Sequence, residues 1–163
     1  TPGNLVMWVM GDKNITTTAA PFVDLWSDNS GNGNHIGQSD QSKRPTKNIR
    51  PQINNMPAVT FNGFNSFLSV THNPSQNFVS EITALYVMKT DSQIPSQTFF
   101  VKKLANGTDP GVEYTYSSTK QFNLVHQGQT QNAADRVTMV SNPFFDGWNM
   151  VRMRRSNTSG SVF

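Results

Sequence analysis

Cysteine is absent from the 163 residues, which excludes a disulfide framework, a thiolate nucleophile and any cysteine-based zinc site. Charge is scarce as well: Asp, Glu, Lys and Arg together make up 14% of the chain, and Glu81 and Glu113 are its only glutamates. So few charges, alongside 11 Phe, 3 Trp and 3 Tyr, do not suit a solvated disordered tail. No apolar run approaches the roughly 20 residues that a membrane-spanning helix needs, so membrane insertion is not expected. The first residues, TPGNLVMWVMGD, lack the basic region and the apolar length of a secretory signal. Helix-period patterning, fixed-period repeats and low-complexity tracts are also missing.

What fills the chain is short apolar segments rich in Val, Ile, Thr, Phe and Tyr, separated by clusters of Gly, Asn, Pro and Ser. That pattern predicts strands: 5–10, 22–26, 58–61, 67–70, 81–90, 97–104, 111–117, 121–126, 136–140 and 148–154. Ten short strands over this length predict one all-β domain spanning 1–163, a sandwich or barrel. In 81–90, Ile82, Ala84, Tyr86 and Met88 share one face and Thr83, Leu85 and Val87 the other, so the strand is expected inside a sandwich with both faces covered. Residues 27–53 contain almost no apolar side chains and read as a long functional or surface-wrapping loop.

Four pieces recur in a recognisable order. They are the Trp-containing segment 5–12, the W-x-D-x-S-G-N-G-N-H turn at 26–35, the R-P-T turn at 44–46, and the run Pro57-Ala58-Val59-Thr60-Phe61-Asn62-Gly63 with Phe67 and Leu68 behind it. Together they resemble the start of a bacterial concanavalin A-like lectin/glucanase domain of the LamG type. The likeness covers residues 4–70 by motif and the remainder by strand pattern. Asn55 and Met56 stand where that pattern has a glycine, and Asn62 where it has Asp. The resemblance implies a jelly-roll sandwich of two curved antiparallel sheets in a secreted, cell-surface or virion protein. Such domains run some tens of residues beyond the position of Phe163, so a fragment of a longer multidomain protein is expected.

The scaffold carries adhesive, sugar-binding and hydrolytic functions alike, so the residues must choose. Glycoside hydrolysis needs two carboxylates at a set separation, carried in the related glucanases by an E-x-D-x-x-E strand. Neither Glu81 nor Glu113 begins that motif, and Asp135 and Asp146 are isolated. A non-catalytic carbohydrate-binding or adhesion module is the expectation, and a structural module contacting other protein subunits is the alternative. Tyr114, Tyr116, Arg152 and Arg154 are the candidate ligand-binding residues, reading a glycan through ring hydroxyls and guanidinium groups. Trp8 and Trp26 read as core.

The loop 28–34 places Asp28, Ser30 and Asn32 at alternate positions, as a calcium loop opens. The acidic twelfth position is Ser39, and the stronger reading is a turn capped by side chains with glycines at positive φ. If calcium binds, Asp24, Asp28, Asn32 and Asn34 are the expected ligands, with Asp12 more remote. His35, His72 and His126 show no metal-ligand spacing, and His35 is expected to bond loop backbone. The net charge of +3 rests on 13 cations against 10 anions. Its clusters, Lys43, Arg44, Lys47 and Arg50, then Arg152, Arg154 and Arg155, have no stacking aromatics beside them, so nucleic acid is not an expected partner.

Overall fold

A computed structural model describes residues 5–76, 82–90, 97–102, 111–116, 122–127, 136–138, 147–156 and 159–162. Among these the chain is all-β: several antiparallel sheets joined by three short 3-10 turns, with no α-helix. It divides into two compact units, residues 1–77 and 78–163.

In the first unit, β1 (Ile15–Thr16), β2 (Leu25–Trp26) and β3 (Ile36–Gly37) form a three-stranded antiparallel sheet in that order. β4 (Thr46–Arg50) pairs with β5 (Met56–Thr60) as a hairpin. The hairpin turns through Pro51–Ile53 and then Asn54 and Asn55, at φ 54° and 57°. Asparagine accepts the left-handed region better than most residues because its short amide bonds locally. Asn55 therefore serves conformationally where glycine was expected. A bridge from Phe22 to Thr46 and another from Gly37 to Ser69 tie the outlying segments to these strands. Val23 and Ala58 are the buried apolar residues, joined by Pro45 and by the polar Asp28, Ser30, Asn34 and Gln76.

The second unit opens with β6 (Ile82–Met88). β7 (Gln97–Lys102), β8 (Gly111–Tyr116), β9 (Phe122–Gln127) and β10 (Arg136–Thr138) follow as an antiparallel meander. β11 (Asn149–Ser156) then returns beside β6 over seven paired residues, and β12 (Ser159–Val162) pairs with its other edge. The two sheets meet through aromatic rings: Tyr86 lies edge-on to Tyr114 at 6.1 Å and near Phe99 at 6.5 Å, and Phe100 is 5.9 Å from Tyr114. A bulge between Thr98 and Phe100 lets two consecutive phenylalanines serve the same interior, which strict alternation along a strand would forbid. Val151 and Met153 complete the buried face of β11.

Four expectations are corrected. Residues 5–10 form no strand, and the strand expected over 67–70 reduces to the bridge at Ser69. The supposed loop 27–53 contains β3 and β4. The outer face of β6 is open: Leu85 is 65% and Val87 66% exposed, so among the described residues only one face of that strand is covered.

Candidate functional site

Asp28 organises the most densely bonded part of the first unit. Its Oδ1 accepts from the Trp8 N–H and the Ser30 N–H, both at 2.8 Å, and its Oδ2 accepts from the Ser30 hydroxyl at 2.7 Å and the Asn34 N–H at 3.0 Å. Both oxygens thus hold two donors each. Gly31 at φ 96° and Gly33 at φ 70° let the chain circle the carboxylate, a path costly for residues with a Cβ. Burial opposes the charged form, but the bonds from the Ser30 hydroxyl and from the backbone of Trp8, Ser30 and Asn34 outweigh it, and the Asp28 carboxyl is held below its ordinary value. The Asp28 N–H in turn donates to His35 Nδ1 at 3.0 Å. That bond uses the lone pair of Nδ1.

The amides of this turn bond to the segment 5–10, which has no ladder of its own. The Asn32 side chain donates to the Leu5 carbonyl at 2.6 Å, and Asn34 to that of Val6 at 2.8 Å. The Asn29 N–H and its side-chain amide both donate to the Trp8 carbonyl, at 2.7 and 3.2 Å. The Trp26 indole N–H donates to the Met10 carbonyl at 2.7 Å. The apolar run is therefore stitched down by side chains where a neighbouring strand was expected. Its consequence is a correction: Trp8, expected in the core, is 51% exposed, while its backbone N–H and C=O are both fixed.

The expected calcium ligands do not form one oxygen cage. Asp24 Oδ1 is ion-paired with Arg44 at 2.5 Å, and its Oδ2 accepts from the Thr18 N–H at 2.6 Å. Asn34 Oδ1 accepts from Gln76 at 2.9 Å, and Asn32 acts through its N–H groups. Calcium needs free oxygen lone pairs at short range, and those of Asp28 face N–H and O–H donors, so the arrangement does not fit the ion. Among the described residues, no three acidic or histidine side chains gather closely enough to hold a metal.

The other candidates also separate. Tyr114 is wholly buried between the sheets of the second unit, so its ring is a core group and offers no face to a ligand. Tyr86 beside it is pushed far above the usual tyrosine value by burial and then by Tyr114. The side chain of Tyr116 lies outside the described residues, as do those of Glu81, Glu113, Asp135, Asp146 and Arg155. Arg152 and Arg154 are exposed on β11, paired across to Leu85 and Thr83 of β6, next to Met150, which is 71% exposed opposite Val87.

The basic cluster of the first unit is partly structural. The Arg44 guanidinium also donates to the carbonyls of Gln38 at 2.8 Å and Ser39 at 2.9 Å. Lys43 pairs with Asp40 at 3.0 Å, and the Ser42 hydroxyl, followed by Lys43, lowers the Asp40 carboxyl to about 2.

A second capped turn carries the most exposed aromatic among the described residues. Asn62 Oδ1 accepts from the N–H groups of Phe64, Asn65 and Ser66 and from the Ser66 hydroxyl, at 2.9 to 3.1 Å. Phe64 stands at this turn with 91% of its surface open. Sequence reasoning passed over Trp8 because an apolar neighbourhood reads as core. The available signal was the crowd of amides at 29–34, too many to bond one another and so in need of backbone partners. The chain matches no protein-family model, no curated protein and no solved structure.

Proposed function

We propose that this chain is a non-catalytic, extracellular carbohydrate-binding or adhesion module of a secreted or cell-surface protein, built on a concanavalin A-like jelly roll. The observation that carries the reading is Trp8. Its indole is half open, while the Asp28 and Asn29 bonds fix the backbone that presents it. Aromatic side chains held in place supply large contact area at low entropic cost on binding. Two sheets packed through Tyr86 and Tyr114 agree with a sandwich, and the motif order at 26–35, 44–46 and 57–63 agrees with the LamG type.

The acidic side chains of Asp24, Asp28 and Asp40 are engaged in ion pairs or turn bonds, a disposition that suits anchoring better than acid–base exchange. Shallow recognition of this kind is weak per site and gains strength by repetition or tethering. A glycan array screened with and without calcium tests the reading. Sugar signals unaffected by chelation are expected, and a silent array would overturn it.

A second reading, a structural module of a virion or surface assembly, is favoured by the open apolar residues Leu85, Val87 and Met150 on one face of β6 and β11. Contiguous exposed apolar surface is characteristic of protein contacts. A silent array together with a stable, high-mass protein complex by light scattering would decide for it.

A further inference from the structure

We infer that residues 7–9 are an open strand edge on which a second copy of this chain pairs, antiparallel and two-fold about Trp8. This goes beyond the glycan-binding reading and does not rest on it. The backbone bonds of the segment 5–10 follow a period of two. The Val6 carbonyl accepts from the Ser30 hydroxyl at 3.1 Å and the Asn34 amide at 2.8 Å. The Trp8 N–H donates to Asp28 at 2.8 Å, and the Trp8 carbonyl accepts from the Asn29 N–H at 2.7 Å. The Met10 carbonyl accepts from the Trp26 indole at 2.7 Å. In extended backbone the N–H and C=O of one residue leave by the same edge, and those of its neighbours by the other. Val6, Trp8 and Met10 therefore face the turn 26–34, and Met7 and Val9 face away from it. Among the described residues, the N–H and C=O groups of Met7 and Val9 have no hydrogen-bond partner. The open stretch is bounded at both ends. Asn32 takes the Leu5 carbonyl at 2.6 Å, and Gly11 runs against β5, where a Cβ would stand 2.6 Å from the Pro57 carbonyl oxygen.

The spacing of the free groups selects the same edge of another copy. Antiparallel strands alternate between residue pairs that exchange two hydrogen bonds and pairs that exchange none. A two-fold axis at Trp8 sets Met7 opposite Val9 of the second copy, Val9 opposite its Met7, and Trp8 opposite Trp8 as the unbonded pair. The two bonded pairs then use every free N–H and C=O of both edges once. Charge permits the approach, because residues 5–11 carry none although the whole chain is at +3. The indole completes the match. Trp8 is 51% exposed, and side chains of an unbonded pair lie closest across a ladder, where aromatic pairs are stabilising. Both rings then stand side by side on one face of the joined strands. The turn 26–34 already occupies the opposite edge, so pairing closes at two copies and cannot run on as a fibre. Three residues of each strand and one indole per copy make a small contact, below the roughly 1,200 Å² of a stable interface, so the dimer is weak and forms at high concentration.

The test is sedimentation of the full chain over a concentration series, with hydrogen exchange read at the same concentrations. A monomer–dimer equilibrium is expected, in which the Met7 and Val9 amides gain protection as concentration rises and the Trp8 amide, already bonded to Asp28, does not. Val9→Pro removes an N–H that has no partner in the single chain, so it should leave thermal unfolding unchanged and weaken association at least tenfold. Trp8→Lys and Trp8→Glu each set like charges directly opposite across the axis, which is destabilising. Each alone should sediment as a monomer, and an equimolar mixture of the two should dimerise again. If Val9→Pro fails to fold, the charge mixture decides by itself. A chain that stays monomeric at its highest soluble concentration overturns the inference. So does a dimer that survives Val9→Pro with Met7 and Val9 exchanging freely, or a mixture of the charged variants that stays monomeric.

Discussion

Among the described residues, the first unit buries Asp28, Ser30, Asn34 and Gln76 beside a small apolar set of Val23, Ala58 and Pro45, whereas the second buries Tyr114, Val151 and Met153 together with the polar Thr90. The contrast follows from strand length. Strands β1, β2 and β3 contribute two residues each, too few to satisfy the surrounding backbone, so carbonyls such as those of Val6 and Trp8 take side-chain donors. Strands of six to eight residues in the second unit satisfy one another in ladders and free their side chains for packing. Buried backbone groups are paired in either case. The lesson is that a chain short of regular pairing can reach the same end with Asn, Asp and Ser.

The sharpest way to break the comparison is Asp28→Ala. It leaves the part-buried N–H of Trp8 and the buried N–H groups of Ser30 and Asn34 without their acceptor, and with each such loss costing about 1–3 kcal/mol the first unit should lose on the order of 4 kcal/mol. Hydrogen exchange should show protection lost across 27–37. A change under about 1 kcal/mol would mean that the polar network is decoration.

Met153→Ala is the counterpart in the second unit, where a cavity in an apolar interior costs roughly 2–5 kcal/mol. Protection should fall across 82–88 and 149–156, read by the same exchange experiment. Loss confined to the frayed ends of β11 would show that the interior is not a packed one.

Acid separates the two kinds of interior next. The Asp28 carboxyl sits below its usual 3.8 in the folded state, so its contribution is complete above that value and is lost as pH falls through the lower native one. Unfolding followed by Trp fluorescence from pH 5 to pH 2 should show weakening begin only below about pH 4. Asp28→Asn should flatten that dependence, and an unchanged slope in the variant would assign the acid sensitivity elsewhere.

A smaller effect, about 1–2 kcal/mol, is expected of Gly31→Ala, because a Cβ is disfavoured at positive φ. No heavy atom lies within 4 Å of a Cβ built there, so chemical denaturation would read backbone strain alone. Smallest is Asn62→Asp: four donors already converge on Oδ1, and ionising the acceptor should raise stability by about 0.5–1 kcal/mol, offset by the lost amide bond to Asn65. A clear loss would show that the amide donor outweighs the acceptor.

Much of the second unit was legible in advance. The strands expected at 81–90, 97–104, 111–117, 121–126 and 148–154 stand within a few residues of β6, β7, β8, β9 and β11, because alternating β-branched and aromatic residues serve a two-sided pleat almost regardless of context. The first unit was harder. Residues 46–50 carry one apolar side chain, Ile49, and become β4 through pairing with β5 and the Phe22 bridge. Residues 5–10 look like a strand and find side-chain donors in place of one. The turn role of Asp28 and the His35 contact could be read from the residue types, since Asx and glycine act locally. The amides at 29–34 signalled a need for backbone partners, but not that those partners would lie in 5–10 and leave Trp8 half exposed.

By itself the sequence determined an all-β chain, the long strands of the second unit, the lack of cysteine chemistry and the capped turn at 28–34. These depend on residue type and on neighbours a few positions away. Tertiary structure alone decided that Tyr114 lies inside while Trp8 lies half in water, that Asp24 belongs to Arg44, and that Leu85 and Val87 face outward. Those outcomes turn on which distant backbone meets which side chain, and hydrophobicity along a segment carries no record of the partner opposite it.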